Sequence, residues 1–412
     1  MSIAFLNYST ETFSPVCGGS LSTYIWELCQ CAKREGIEPT VLTMSHDAPK
    51  YDWPRTVYVS PPELPSNPWL FRWERVKRKI SQWPHLRHEV YARRVADSIE
   101  AGNLGDSPLV LQNDVELAIY LRKRFPRLHM VLLFQNYHRI KRFFPGELKD
   151  SVNVVAAVSR ALGEWVEGAY GLAAGSVVTV YNGVNLERFA PAATLAPGAA
   201  VINFTGRVCR EKAPDTLLRA ALKVARKRRD FSLQILGWRD VATDSQTAFD
   251  REMETLRHEL ERLGVNVRKG GLVERARLPM ELHKASIHVT PSRWEEPCAF
   301  VNLEGMASGL AVIGSRTGGT PEVIGGAGLL FERDNIDELA DQLERLIADP
   351  SVRRELSQRG RARAGEFSWD RTWRKIHELG RATSGGGRSA IKPPATMMER
   401  MATGQDADRV AV

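Results

Sequence analysis

The 412-residue chain lacks any run of eighteen apolar residues, and that absence argues against a membrane-spanning helix. Its opening, Met1-Ser2-Ile3-Ala4-Phe5-Leu6-Asn7-Tyr8, has neither a basic start nor a small-residue cleavage site. It reads as a first β-strand and not as a signal peptide. Cysteine is scarce: Cys17, Cys29, Cys31, Cys209 and Cys298 are odd in number and show no metal-ligand spacing. Free thiols in a cytoplasmic setting are the expectation. No Asp-x-Asp run stands after a predicted strand, so a divalent cation finds no paired carboxylates in the place a metal-dependent transferase would need them.

Basic charge, by contrast, is plentiful. Lys and Arg number 57 against 49 Asp and Glu, a formal net charge of +8, and the isoelectric point is about 9.3. Such a balance suits anionic partners in general: nucleic acid, acidic lipid or phosphorylated substrates. The charge is concentrated in Arg72-Trp73-Glu74-Arg75-Val76-Lys77-Arg78-Lys79 and continues to Arg87, Arg93 and Arg94. Trp69, Phe71, Trp73 and Trp83 are interleaved with it. Over Trp69–Arg94 this mixture fits peripheral contact with an anionic membrane face. A solvated helix face with a few core aromatics explains the same pattern.

The chain divides into two similar halves. Ile3 to Asn7 reads as a strand, followed by a Cys17-Gly18-Gly19-Ser20 loop, a helix from Leu21 to Arg34, and a strand at Thr40-Val41-Leu42-Thr43. Further strands are expected at Leu109–Leu111, Met130–Phe134, Val154–Val158 and Val177–Tyr181. The plan repeats after Val201-Ile202-Asn203-Phe204, with Asp215 capping a helix to Lys227. Strands then follow at Phe231–Leu236, Val265–Val267, Ile287–Thr290, Ala311–Gly314 and Gly328–Phe331. Alternating strand and helix in each half implies α/β domains with parallel sheets. The expected division is 1–195, 199–366, a closing helix over 367–382 and a disordered Gly/Pro-rich tail over 383–412.

Two carboxylates stand out. Glu296 and Glu304 lie eight positions apart in Ser292-Arg293-Trp294-Glu295-Glu296-Pro297-Cys298-Ala299-Phe300-Val301-Asn302-Leu303-Glu304-Gly305. A strand precedes them, and Asn302 to Ser308 reads as a helix stopped by Gly309. A tight strand-to-helix loop aims backbone N–H groups at one point, an anion site. An ionised carboxylate beside it can accept two hydroxyl hydrogen bonds. Diphosphate plus vicinal hydroxyls is the chemistry of a nucleotide sugar.

On these residues the chain resembles the retaining glycosyltransferases of family 4, which have the GT-B architecture of two Rossmann-like domains facing across a cleft. The matching pieces are Glu296, Glu304, Gly305-Met306-Ala307-Ser308-Gly309 and Gly318-Gly319-Thr320-Pro321-Glu322. A second match is Gly206-Arg207 followed by Lys212. The resemblance covers about residues 1 to 380. It implies that the first domain presents the acceptor and the second binds the donor. Arg207 and Lys212 would take the departing diphosphate, because cations aimed at developing charge favour the transition state. Glu304 would hold the ribose hydroxyls and Glu296 the transferred sugar. Gly18, Gly19, Phe300 and Val301 would complete the donor site, and the bare Gly318-Gly319 loop would pass close to the base or the phosphates. Two positions depart from the family. Ala299 stands where Gly is usual. Gln135 stands at the strand end where His is usual, with His138 three residues later; either could contact the acceptor or the sugar, although only His could serve as a base.

The expectation is retaining transfer of a sugar from a UDP- or GDP-sugar to a glycan or lipid-linked acceptor, as in exopolysaccharide or envelope glycan synthesis at the inner face of a membrane. No cofactor, no divalent metal and no nucleic acid are expected. The competing readings are another GT-B enzyme, either a nucleotide-sugar epimerase or a glycogen-type transferase, and a catalytically silent sugar-nucleotide or nucleic-acid binding protein.

Overall fold

The computed structural model describes residues 2–9, 11–16, 19–61, 86–137, 145–191, 199–238 and 247–382. Gly18, His138, most of the Trp69–Arg94 stretch and the 383–412 tail lie outside them. The first sheet holds seven strands: β1 (Ala4–Leu6), β2 (Thr40–Met44), β3 (Thr56–Val59), β4 (Leu109–Gln112), β5 (Met130–Phe134), β6 (Val154–Ala157) and β7 (Val178–Thr179). Their order is β3-β2-β1-β4-β5-β6-β7, and every pair is parallel. The second sheet holds six: β8 (Ala200–Thr205), β9 (Phe231–Leu236), β10 (Val267–Lys269), β11 (Ile287–Thr290), β12 (Ala311–Ser315) and β13 (Leu329–Phe331). Their order is β10-β9-β8-β11-β12-β13, again all parallel.

Helices cover both faces of each sheet, so the central strands of the first sheet read as apolar runs. Met130-Val131-Leu132-Leu133-Phe134 is wholly buried. Three strands differ from the sequence reading: β10 lies at Val267–Lys269, two residues later than expected. Thr56-Val57-Tyr58-Val59 pairs at an edge and is half-buried, and four residues of mixed polarity gave too short a pattern to mark it. Val177–Tyr181 supplies only the two-residue strand β7.

The closing helix, Trp369–Arg381, packs against the first domain. Trp373 is fully buried there and donates its Nε1 to Glu35 Oε2 at 2.9 Å. Leu379 O lies 2.9 Å from the His129 ring. The interdomain junction is stitched to the start of this helix: Val184 N donates to Phe367 O at 2.7 Å. A Cβ on Gly183 would lie 2.6 Å from the Trp369 backbone, so only glycine fits. Among the described residues no helix is long and apolar enough to cross a membrane.

Each sheet reverses its strand order once, between β1 and β4 and between β8 and β11. Ligands of open α/β sheets bind outside the carboxyl ends of the strands at such reversals. A cavity of about 560 Å³ lies there, lined by both domains.

Candidate active site

Two loops of the second domain and the start of one helix build one wall of this cavity. The loop after β8 carries Gly206, Arg207, Glu211 and Lys212; the loop after β11 carries Ser292, Trp294 and Glu296 to Ala299. The helix Phe300–Ala307 then begins at the wall. Its start lies two residues earlier than the sequence indicated, because Ala299 and Phe300 carry no capping signal. Ala299 is its N-cap in ordinary extended backbone, φ −65° and ψ 116°, with no side-chain cap. Glycine is therefore not required by conformation at this position. Asn302 N donates to Ala299 O at 3.2 Å, and no side chain caps the N–H groups of Phe300 and Val301, which suit an anion.

Lys212 and Glu296 meet in this wall. Lys212 Nζ donates to Glu296 Oε1 at 2.6 Å, with side chains 25% and 4% exposed. Ser292 Oγ donates to the same oxygen. Arg207 is exposed at the cavity lip, and no carboxylate among the described residues forms an ion pair with it. A second cavity of about 540 Å³ continues past Arg207 toward Gly237, Trp238 and Val273. A cationic waist thus separates two chambers.

Sequence reading missed the residue that holds this wall together. Arg293 forks onto Asp215 at 2.8 and 2.7 Å, reaches Thr216 Oγ1 and Arg210 O at 3.0 Å, and donates Nε to Asp334 at 2.6 Å. Bonding to Asp215 raises its pKa further. Asp215 is therefore not the helix cap expected of it. Ala213, at a left-handed φ of 50°, takes the cap position ahead of Pro214, and Asp215 turns to Arg293.

A polar chain supports the wall from beneath. Gln234 Nε2 donates to Asn203 Oδ1 at 2.8 Å, and Asn203 Nδ2 lies 2.9 Å from His288 Nδ1. His288 Nε2 lies 3.1 Å from Thr290 Oγ1, which donates to Asn302 Oδ1 at 2.6 Å. The donor directions require a neutral imidazole with its proton on Nε2. Burial lowers the His288 pKa to about 4.

The Gly318-Gly319 loop approaches protein and not open space. A Cβ on Gly318 would strike the Glu296 backbone, and one on Gly319 would strike Pro297 O. Gly319 N donates to Glu296 O at 2.6 Å. Glycine is needed here to pack the two loops. Glu322, at the end of the same segment, crosses to the first domain. It accepts from Arg160 N at 2.9 Å, Ala161 N at 2.7 Å and Tyr181 Oη at 2.8 Å, capping the helix Arg160–Tyr170.

The opposite wall brings Ser20, Gln135, Asn136, Tyr137 and Asn182 to the cavity. Gln135 is 5% exposed, and its Nε2 is buried without a hydrogen-bond partner. Gly19 precedes the helix Ser20–Arg34, where Glu11 already occupies the space a Cβ would need. Burial raises the Glu11 pKa, against hydrogen bonds from Ser22, Leu21 and Gly19. Glu304 is placed apart from the cavity: it is buried and paired with Arg275 at 2.7 Å. Arg275 carried no sequence signal.

Comparison with known proteins gives the family and the fold. The profile "Glycosyltransferase Family 4" matches residues 18–188, and "Glycosyl transferases group 1" matches residues 187–363. The chain is 27% identical over 277 residues to spore coat protein SA of Bacillus subtilis, across 61% of this chain and 72% of that protein. It is 32% identical over 225 residues to a D-inositol 3-phosphate glycosyltransferase of Nocardiopsis dassonvillei, across 52% of each, so it spans about half of that relative. Sucrose-phosphate synthase of Thermosynechococcus elongatus shares the fold with a TM-score of 0.70 at 20% identity, over 93% of this chain and 98% of that one. Anabaena Alr3699/HepE in complex with UDP does so with a TM-score of 0.64 at 17% identity, over 92% and 99%. Two parallel-sheet domains with a cleft at their strand reversals define the GT-B class. The tandem profiles make this particular chain a glycosyltransferase.

Proposed function

We propose that the enzyme transfers a hexose from a nucleotide-sugar donor, with retention of configuration, to a glycan or lipid-linked acceptor in envelope or exopolysaccharide synthesis. The observation that carries the reading is the cationic waist. Arg207, Lys212 and the uncapped start of the helix Phe300–Ala307 converge on a cavity with Glu296 at its wall. A diphosphate fits between the chambers. The base would lie toward Gly237 and Val273, and the sugar beside Glu296. The D-inositol 3-phosphate glycosyltransferase relatives and the UDP complex of a fold neighbour favour a UDP-type donor and a hydroxylated acceptor.

In this reading Lys212 exchanges Glu296 for the diphosphate when donor arrives, and releases the Glu296 carboxylate to the sugar hydroxyls. Arg207 and Lys212 stabilise charge as the glycosidic bond breaks, so no metal is required. The departing phosphate oxygen takes the acceptor proton on the same face of the sugar. Gln135 donates its unpartnered Nε2 to a sugar hydroxyl. Thermal-shift screening of UDP- and GDP-sugars tests the donor, since a ligand at a hundred times its Kd adds about 2.7 kcal/mol. Nuclear magnetic resonance of the product's anomeric centre then tests retention; an inverted product refutes it.

A further inference from the structure

The mouth of the cavity between the domains is built from few residues. Of those that line it, Ser20, Arg207, Glu211 and Trp294 are exposed, and the rest are buried or half-buried. Arg207 also lines the second chamber, so its side of the mouth leads there. Ser20 from the first domain, with Glu211 and Trp294 from the second, frames what remains. Trp294 is 42% exposed, a large apolar surface turned to the rim. Its place is fixed. Arg293 N and Trp294 N both donate to Glu211 O, at 2.8 and 3.1 Å, and the Arg293 side chain ties the same loop to Asp215. The cations on either side of Glu211 in sequence are committed elsewhere, Arg210 to Glu252 at 3.1 Å and Lys212 to Glu296 at 2.6 Å. Trp294 and Glu211 thus present a flat apolar face beside a carboxylate, outside the more enclosed Lys212 and Glu296.

We propose that this rim is an acceptor subsite for a neutral sugar ring: Trp294 stacks beneath the ring's C–H face, and Glu211 and Ser20 take hydroxyls at its edge. The inference rests on the nucleotide-sugar reading, which fills the waist with diphosphate and the space beside Glu296 with the transferred sugar. The attacking hydroxyl then arrives through the part of the mouth that Ser20, Glu211 and Trp294 frame. A pyranose has an apolar face of C–H bonds and a rim of hydroxyls. An indole offers the complementary flat face, whose negative quadrupole attracts polarised C–H bonds. Its side chain has few torsions, so ordering it on a ligand costs little. An ionised carboxylate accepts from hydroxyls and repels a phosphate at the same distance. A glycan end therefore suits the rim and a bare lipid phosphate does not; a lipid-linked acceptor would offer its sugar. The acceptor is in this way read by the donor domain as well as by the first domain.

Steady-state transfer by the full chain tests the subsite, with the nucleotide sugar selected by thermal shift as donor. The acceptors are p-nitrophenyl glycosides of glucose, galactose, mannose and N-acetylglucosamine, set against a short polyprenyl phosphate. Wild type should glycosylate a p-nitrophenyl glycoside in preference to the polyprenyl phosphate. Trp294→Ala should raise KM for that glycoside roughly ten- to a hundredfold, with a much smaller change in kcat. Trp294→Phe, which keeps a flat ring, should restore most of the loss. Glu211→Gln should raise the same KM about tenfold, while its backbone carbonyl still holds the loop. Calorimetric titration with UDP and GDP separates an acceptor role from a donor role, because Trp294→Ala should bind the nucleotide as wild type does. A merely structural tryptophan would lower the melting temperature and weaken nucleotide and acceptor together. An unchanged KM in Trp294→Ala overturns the subsite. Equal weakening of the nucleoside diphosphate does so too, as does preference for polyprenyl phosphate over every glycoside. Trp294→Leu, apolar but not flat, gives the alanine readings should that variant fail to fold. A wild type that binds neither UDP nor GDP refutes the nucleotide-sugar reading, whereas one that binds nucleotide but is insensitive to Trp294 refutes the subsite alone.

Discussion

Removing Arg293 should damage stability and catalysis together, by an amount the structure sets. Its guanidinium joins the loop after β8, the loop after β11 and Asp334. The backbone N–H groups of Arg293 and Trp294 add to the same seam by donating to Glu211 O at 2.8 and 3.1 Å. Asp215 is only 3% exposed on its side chain, whereas Arg293 is 29% exposed. Arg293→Ala leaves that carboxylate buried and unpaired. Breaking a buried pair from one side costs about 3–5 kcal/mol. Asp215 lies in the first turn of the helix Pro214–Ala225, whose dipole offsets roughly 0.3–1 kcal/mol of that. Partial exposure of the arginine favours the lower end, so the net loss is about 2.5 kcal/mol. For a domain of this size that is a fall in Tm of roughly 5–10 °C. Lys212 and Glu296 sit on the two loops concerned, and misplacement by an ångström costs about a hundredfold in rate. Scanning calorimetry and steady-state kinetics measure the two effects. Arg293→Met with Asp215→Asn removes both charges and should recover most of the lost stability but not the rate. A stable Arg293→Ala variant, or a double variant no more stable than the single one, refutes the reasoning.

Lys212→Ala should lower turnover by roughly 10²–10³-fold, by analogy with losing one oxyanion donor, and wild-type turnover would remove Lys212 from the mechanism. In the proposed mechanism fixed cations meet the diphosphate, so activity should survive excess EDTA; inactivation reversed by magnesium or manganese would contradict this. His288 supplies a pH dependence of stability. Its pKa is depressed to about 4 when folded, so between about 6.5 and 4 the unfolded chain binds more protons and stability falls as pH falls, by roughly 3 kcal/mol at the bottom. His288→Gln should flatten that part of the denaturation profile, and an unchanged profile would show that another group controls it.

How much of the site was legible in the sequence follows from the range of the forces involved. The doubly wound sheets were legible because buried parallel strands need continuous apolar runs, and Met130–Phe134 or Val154–Ala157 offer no alternative. Asp215 was misread for a local reason. A carboxylate ahead of a helix is a good cap, but Ala213 reached the left-handed region and left Asp215 free for Arg293. Gly318 and Gly319 announced a close approach without saying to what; the answer was the Glu296–Pro297 backbone. The cationic partners were the least legible. Burial of Glu296 and Glu304 demands a counter-charge for each, by the cost of an unpaired buried ion. Lys212 could be assigned to Glu296 only through the fold, since 84 residues separate them. Arg275 meets Glu304 from a loop whose sequence, Val273-Glu274-Arg275-Ala276-Arg277, has the look of solvated charge. Sequence can thus state that a buried carboxylate has a partner. Which arginine it is follows from packing between elements distant in the chain.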